Sequence, residues 1–206
     1  PELIDFSNQN FYDGRLRMLP DRDMINNGQA AIEYIKVNGI WEKQSNLIEA
    51  ERVIKIVQEL VSEKDDREIG IVTFNANQQD LILDLLDNLE MTGSFIRPKS
   101  LIVKNIENIQ GDEKDIIIFS TAYAPDLKGK LMMQFGSLNI AGGENRLNVA
   151  VTRAKEKIFL VSSIWPQELK VENTRNVGPK LLRSYMEYAK EVSEGNYKPS
   201  IPKALR

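Results

Sequence analysis

Apolar positions along the chain fall into helical stripes separated by short extended runs. After Asn46, the residues Leu47, Ala50, Val53, Ile54, Val57, Leu60 and Val61 recur at the spacing of one helix face. Asn46 followed three residues later by Glu49 is the pattern of a capping box. Lys64, Asp65 and Asp66 end this helix in a solvated turn. Ile69 to Phe74 reads as a strand, and Asn75 to Asn77 leads into a second helix with Leu81, Ile82, Leu85, Leu86 and Leu89 inward. Leu101 to Val103 is a short strand. Asp115 to Thr121 is another, and its unbroken Ile116, Ile117, Ile118 and Phe119 suit a central strand covered on both faces. Upstream, Pro1 to Tyr12 forms a short amphipathic helix, with Leu3, Ile4, Phe6, Phe11 and Tyr12 available for packing. Gly14 to Met24 reads as loop, and Ile32 to Val37 as a strand ended by Asn38 and Gly39. Trp41 then serves as a lid over the core edge, or alternatively as a contact to a nucleic-acid base. Gly178 and Pro179 open a last helix carrying Leu181, Leu182, Tyr185, Met186 and Ala189.

The stretch Gly142 to Ser163, GGENRLNVAVTRAKEKIFLVSS, concentrates the chemistry. On a wheel of about 100° per residue, Leu147, Ala150, Val151 and Ala154 share the core side. Arg146 and Arg153 then fall almost on one line beside that stripe, with Asn148 and Thr152 on a second polar line. Lys155, Glu156 and Lys157 make a polar turn into the buried run Ile158 to Val161. Two arginines so placed can aim at one anion, because a guanidinium fork matches phosphate oxygens and keeps its charge at neutral pH. The plainer alternative is arginines that are solvated or paired with carboxylates. Gln110, Gly111, Asp112 and Glu113 precede the central strand. A glycine there allows close approach of backbone to a ligand, and Gln110 offers a donor and acceptors. Glu113 can accept from hydroxyls such as those of a ribose, although the segment also fits an ordinary surface turn.

Alternating strands and helices define an α/β class with a parallel sheet and right-handed crossovers. Ligands in such sheets bind at the C-terminal strand ends. That places Phe74 to Asn77, Lys104 to Glu113 and parts of Ala122 to Gly143 at the expected binding edge. The last of these is long for a connection, which points to function or mobility. Composition narrows the chemistry. The 206 residues suit one domain with appendages. With neither cysteine nor histidine, disulfides, a Cys nucleophile, a Ser-His-Asp triad and a transition-metal site are excluded, and a reducing, cytoplasmic compartment is the default. No apolar run is long enough to cross a bilayer, so no membrane partner is expected. A net charge of −3 speaks against a surface that grips nucleic acid everywhere, but is compatible with one basic groove. The first residue is proline and no signal peptide is visible, as expected for a piece of a longer protein.

IENIQGDEKDIIIFS followed by GGENRLNVAVTRAKEKIFLVSS resembles motifs V and VI of superfamily 1 helicases. The likeness is greatest to the 5′ to 3′ branch that holds the nonsense-mediated decay and Okazaki-fragment helicases. IGIVTFNANQQDLI is similar to their motif IV, SNLIEAERVIKIV to the Asn-x-x-Glu-Ala helix before it, and PELIDFSNQNFYDGRL to the segment that opens the second RecA-like domain. GPKLLRSYMEYAK resembles the segment C-terminal to that domain in large bacterial helicase proteins. The resemblance therefore implies a three-layer RecA-like fold of the P-loop NTPase type. It divides into a lead-in helix and loop over 1–30, the helicase domain over 31–165, and a C-terminal helix and tail over 166–206.

By position, the resemblance makes Arg153 an arginine finger on the γ-phosphate of ATP. Gln110 and Gly111 would couple the nucleotide cleft to the nucleic-acid track, Glu113 would touch the ribose or organise the cleft, and Arg146 would support the cleft or pair with an acid. Thr73, Asn75, Asn105 and Thr152 would lie along a single strand, Asn105 standing where the family has Ser or Thr. The chain contains no Gly-x-x-x-x-Gly-Lys-Ser/Thr loop and no paired Asp-Glu of the Walker-B kind in a suitable strand context. ATP and Mg²⁺ would accordingly be held mainly by an upstream RecA-like domain. The implied partners are that domain and single-stranded nucleic acid, DNA ahead of RNA. Two rival readings are a non-catalytic scaffold of the same fold and an unrelated α/β nucleotide-binding or phosphotransfer domain.

Overall fold

The computed structural model of the chain describes residues 1–16, 30–63 and 66–197. The expectations for residues 17–24 of the first loop and for Lys64 and Asp65 lie outside the described residues. Five strands form one sheet: β1 (Ile32–Lys36), β2 (Ile69–Thr73), β3 (Ile102–Asn105), β4 (Lys114–Ser120) and a last strand, Ala154–Ser162. Two short strands, β5 (Ala124–Pro125) and β6 (Leu131–Met132), form a separate antiparallel ladder, so the last sheet strand is β7. The sheet order is β1-β7-β4-β2-β3, and every pairing is parallel. This is a RecA-like α/β fold.

Side-chain alternation along β4 explains its unbroken apolar run. Ile116 and Ile118 face the layer of α2 (Leu47–Ser62) and α3 (Ala76–Met91). Ile117 and Phe119 face the layer of α1 (Glu2–Phe11), α4 (Gly143–Val151) and α5 (Val177–Ser193). A strand buried on both faces has no polar side to show, which is why it lacks alternation. The α1 and α5 layer is tied together by rings: Phe6 meets Tyr185 edge-on at 5.1 Å and Tyr188 at 5.6 Å.

Several local expectations change. Leu47, assigned to the buried stripe of α2, is 49% exposed, and Ile56 is buried instead. The α4 helix ends at Val151, so Ala154 is not on it but begins β7, and Lys155 to Lys157 belong to that strand rather than to a turn. Strand pairing wins here over helical propensity, because the Lys114 N–H donates to the Arg153 carbonyl at 3.0 Å and starts the β4–β7 ladder. Ala122 to Gly143 is folded, with the β5–β6 ladder and a 3₁₀ turn at Gly136–Asn139. Trp41 is buried against Ala122, Ala124 and Met132, so it is a lid, and its ring is not free to stack on a base.

Candidate functional site

The chemistry-bearing residues divide between two rims of the sheet. Gln110 to Glu113 run into the N-terminal end of β4, and Arg153 runs into the N-terminal end of β7. These strands are neighbours, so the two loops meet. The Arg153 Nη1 lies 3.6 Å from Glu113 Oε1. Its Nε donates to the Val149 carbonyl at 3.0 Å and its Nη2 to Thr152 Oγ1 at 3.3 Å. The Arg153 side chain is 21% exposed and that of Glu113 57%. Gln110 and Gly111 are exposed beside them. Gly111 has φ +91° with open space where a Cβ would stand, so glycine is needed there for its backbone conformation and not for packing. The expectation that the whole of Lys104 to Glu113 lies at the C-terminal strand ends is therefore corrected. This loop crosses from the C-terminal end of β3 to the N-terminal end of β4, and only its start stays on the first rim.

Thr152 joins the Arg153 rim as well, and not the rim that holds Thr73, Asn75 and Asn105. Its hydroxyl donates back to Asn148 O and Val149 O, at 2.9 and 3.0 Å. Arg146 does not share a partner with Arg153. Its Nη1 donates to the Ser137 carbonyl at 3.2 Å and holds the 3₁₀ turn. Because Arg153 lies beyond the end of α4, the wheel that aligned the two arginines does not apply to it.

The opposite rim carries Thr73, Asn75 and Asn105 at the C-terminal ends of β2 and β3. Thr73 has no exposed surface, and its hydroxyl donates to Asn75 O at 2.8 Å. Asn105 is 8% exposed, with Oδ1 accepting from Glu107 N at 2.9 Å and Nδ2 directed to Gln79 Oε1 at 3.3 Å. Both side chains are turned inward and shape the loops. Asn75 is half-buried and caps α3 by accepting from Gln78 N at 2.8 Å.

Sequence reasoning missed the polar cluster beneath this rim. The Asn46 carboxamide caps α2 by accepting from Glu49 N at 3.1 Å, as the capping pattern requires. The reciprocal limb is absent: Asn46 N donates to Gln78 Oε1 at 2.8 Å. The Glu49 side chain instead points inward with no exposed surface. Its Oε1 accepts from Ala122 N at 2.7 Å, Ser120 Oγ at 3.0 Å and Thr121 Oγ1 at 3.4 Å. Its Oε2 accepts from Asn46 Nδ2 and Ser163 Oγ, both at 3.2 Å. Burial pushes the Glu49 carboxyl up to about 7, with these donors pulling the other way. The signal in the sequence is the Asn46–Glu49 pair, which fits both the capping pattern and the Asn-x-x-Glu-Ala resemblance, while the serine and threonine partners lie far along the chain.

The sheet and its two rims define the class: a RecA-like domain with an arginine at one strand-entry edge. The chain belongs to the AAA domain family, whose sequence model matches residues 1–164, and it is a helicase domain. It is 34% identical over 203 residues to an uncharacterized ATP-dependent helicase of Mycoplasma genitalium, an alignment covering 94% of this chain and 18% of that protein. A second relative, Helicase SEN1 of Saccharomyces cerevisiae, is 26% identical over 180 residues, covering 78% of this chain and 8% of the relative. The chain thus spans less than a fifth of the length of these proteins. The C-terminal domain of a possible DNA helicase from Lactobacillus plantarum WCFS1 aligns over 78% of this chain and 83% of that one, at 14% identity and a TM-score of 0.43. The fold is read from the strand order and not from that likeness.

Proposed function

We propose that this domain is the C-terminal motor half of an ATP-dependent nucleic-acid helicase or translocase, with Arg153 as its arginine finger. The observation that carries the reading is the placement of Arg153. Its guanidinium shares a rim with the QGDE loop, is partly open to solvent, and has as its anionic partner an exposed glutamate at 3.6 Å. A pair of that length and exposure is weak, so a phosphate can replace the carboxylate at small cost. The Mycoplasma genitalium relative, named as an ATP-dependent helicase, supports the helicase part of this reading.

ATP with Mg²⁺, held mainly by an upstream RecA-like domain, would supply the phosphoanhydride that is hydrolysed. The residues here fit half of such a site: a charged fork and an open glycine turn, without the phosphate-cradling loop. Arg153 would stabilise charge on the transferring phosphoryl group. The Val149 carbonyl and Thr152 hydroxyl orient the guanidinium, while Gln110 and Gly111 would couple the nucleotide cleft to the nucleic-acid track. Glu113, which pairs with Arg153 here, would touch a ribose hydroxyl or organise the cleft. On the other rim Asn75 would face a single strand, DNA ahead of RNA, with Thr73 and Asn105 acting through loop shape. Closure of the two halves would couple the rims and step the strand, 5′ to 3′ by family likeness.

The test is Arg153→Ala in the full-length protein. Turnover of ATP falls by about 10²-fold or more while nucleotide affinity survives, as expected of a group acting on the transition state. Arg153→Lys stays impaired, because a point charge does not reproduce the fork. Wild-type turnover in Arg153→Ala removes the finger assignment.

A further inference from the structure

The Glu49 carboxylate is the hub at which the C-terminal rim is assembled, and the finger mechanism makes no use of it. Three elements contact it, and two more join through Asn46, Ser120 and Ser163. Asn46 and Glu49 bring the first turn of α2. Ser120, Thr121 and Ala122 bring the exit of β4. Ser163 brings the exit of β7, and its Oγ also accepts from Asn46 Nδ2 at 2.8 Å and from Gly39 N at 3.2 Å. Gly39 brings the loop after β1. Gln78 brings the first turn of α3: its Nε2 donates to Ser120 Oγ at 3.0 Å and to Asn46 O at 3.1 Å.

Proton directions are fixed by these contacts. Ser120 and Ser163 each accept from an amide and donate onward to the carboxylate. Every neighbour of Glu49 therefore presents a donor, which suits an anion with acceptor-only oxygens. A protonated acid must place a donor among donors and loses part of the set. The turn that completes the cradle is strained. Ala122 has φ +64°, in the left-handed region that a residue with a Cβ seldom adopts, and this aims its N–H at Glu49. The continuous path Glu49–Ser120–Gln78 ends at Asn75, whose Oδ1 caps Gln78 and whose carbonyl is held by Thr73.

We propose that Glu49 is a positioning residue for the single-strand track: its ionised carboxylate fixes the α3 N-terminus and the β4 exit, and so sets where Asn75 stands. The proposal rests on the motor reading for its ligand class, a single-stranded nucleic acid, but not for its geometry. Holding this charge in the interior is unfavourable, since no cation is among the groups that contact it. The titratable groups that feel its charge are Tyr34 on β1 and Tyr123 after β4, both with hydroxyls pushed up chiefly by burial. The exits of β4 and β7 present it with neutral donors only, and α3 reaches it through the neutral Gln78 and Ser120. Retention of so costly a group points to a job that a neutral side chain performs less well.

In the full-length protein, two variants are compared with wild type: Glu49→Gln, which mimics the protonated acid, and Ser120→Ala, a small change that cuts the link to Gln78 and spares the fold. Amide hydrogen exchange is followed in 74–80 and 120–124, and the affinity of a labelled oligothymidylate is measured from about pH 6 to about pH 8. Faster exchange at both segments is expected, with strand affinity about tenfold weaker in Glu49→Gln near pH 8 and closer to wild type near pH 6. ATP turnover at saturating strand should stay within about twofold, since positioning of the track enters through binding and not through the finger. A variant that merely unfolds lowers affinity and turnover together at every pH, and that result overturns the proposal. Unchanged exchange and a wild-type pH profile in both variants overturn it as well. Faster exchange with unchanged strand affinity upholds Glu49 as the pin and instead removes the strand from this rim, which overturns the motor reading of that edge.

Discussion

Two charged side chains define the domain, and they are treated by the fold in opposite ways. Arg153 keeps its charge near solvent with one weak anionic partner, Glu113. Glu49 is sealed under the other rim and surrounded by donors. Its raised pKa has a thermodynamic sign that can be checked. An unfolded glutamate releases its proton near 4.5, whereas the folded one holds it to about 7. Between those values the folded state binds more protons, so stability is greatest at the acid end and falls as pH rises. The whole effect is about 3 kcal/mol, complete once pH passes the folded value. Urea unfolding of wild type and Glu49→Gln near about pH 5 and about pH 8 measures it. The wild-type advantage over the amide should shrink toward alkaline pH, and a difference that is the same at both values contradicts the assignment. The ionised form is thus the less stable one and also the one that completes the donor set. This is a local cost of the kind functional sites carry.

At the scale of elements, the sequence was most legible where burial is two-sided and least legible where a distant partner decides. The Ile116 to Phe119 run and the alternation of helices with strands carried the parallel sheet. The end of α4 did not read correctly, because Leu147, Ala150, Val151 and Ala154 keep a helical period that the β4–β7 ladder cuts short at Arg153. The Glu49 partners were invisible for the same reason: Ser120 and Ser163 come from strand exits 71 and 114 residues away. The division of the site between rims arises from the crossover after β3, which no local pattern encodes. One element junction was legible in composition but not in purpose. Gly143 and Gly178 lie in the first turns of α4 and α5, and both press on the backbone of the 3₁₀ turn. A Cβ at Gly178 would lie 2.0 Å from the Leu138 carbonyl oxygen, and one at Gly143 would lie 2.3 Å from it. Arg146 and Asn176 hold the same turn through Ser137 O and Asn139 O. A backbone atom gripped from both sides cannot yield, so Gly178→Ala should cost about 3 kcal/mol, visible as a lower urea midpoint at unchanged slope. An unaltered midpoint shows that the two helices can part here.

At the scale of the molecule, the division of labour between fold and chemistry becomes testable. Both faces of the sheet are closed within the described residues. On one side Val53, Val57, Ile82 and Leu86 cover β2 and β4; on the other Leu147, Leu182, Tyr185 and Met186 cover β4 and β7. Phe6 from α1 enters the second layer, so helices near the two ends of the described chain share one core. Such a body has what it needs to fold alone as a cooperative unit. The nucleotide chemistry proposed for it is not self-sufficient in the same way. In the proposed motor, Arg153 would stabilise a transferring phosphoryl group only if something else held the nucleotide, and the sequence has no loop that cradles phosphates. The purified 206 residues should therefore melt in a single sharp transition, yet hydrolyse ATP no faster than buffer. Circular dichroism through a thermal ramp and a phosphate-release assay on the same sample give both readings together. Sharp melting without turnover separates the finger from the cradle, as two halves of one motor require. Robust turnover by this chain alone means that a complete site lies within it, and the half-motor assignment then fails even though the fold stands.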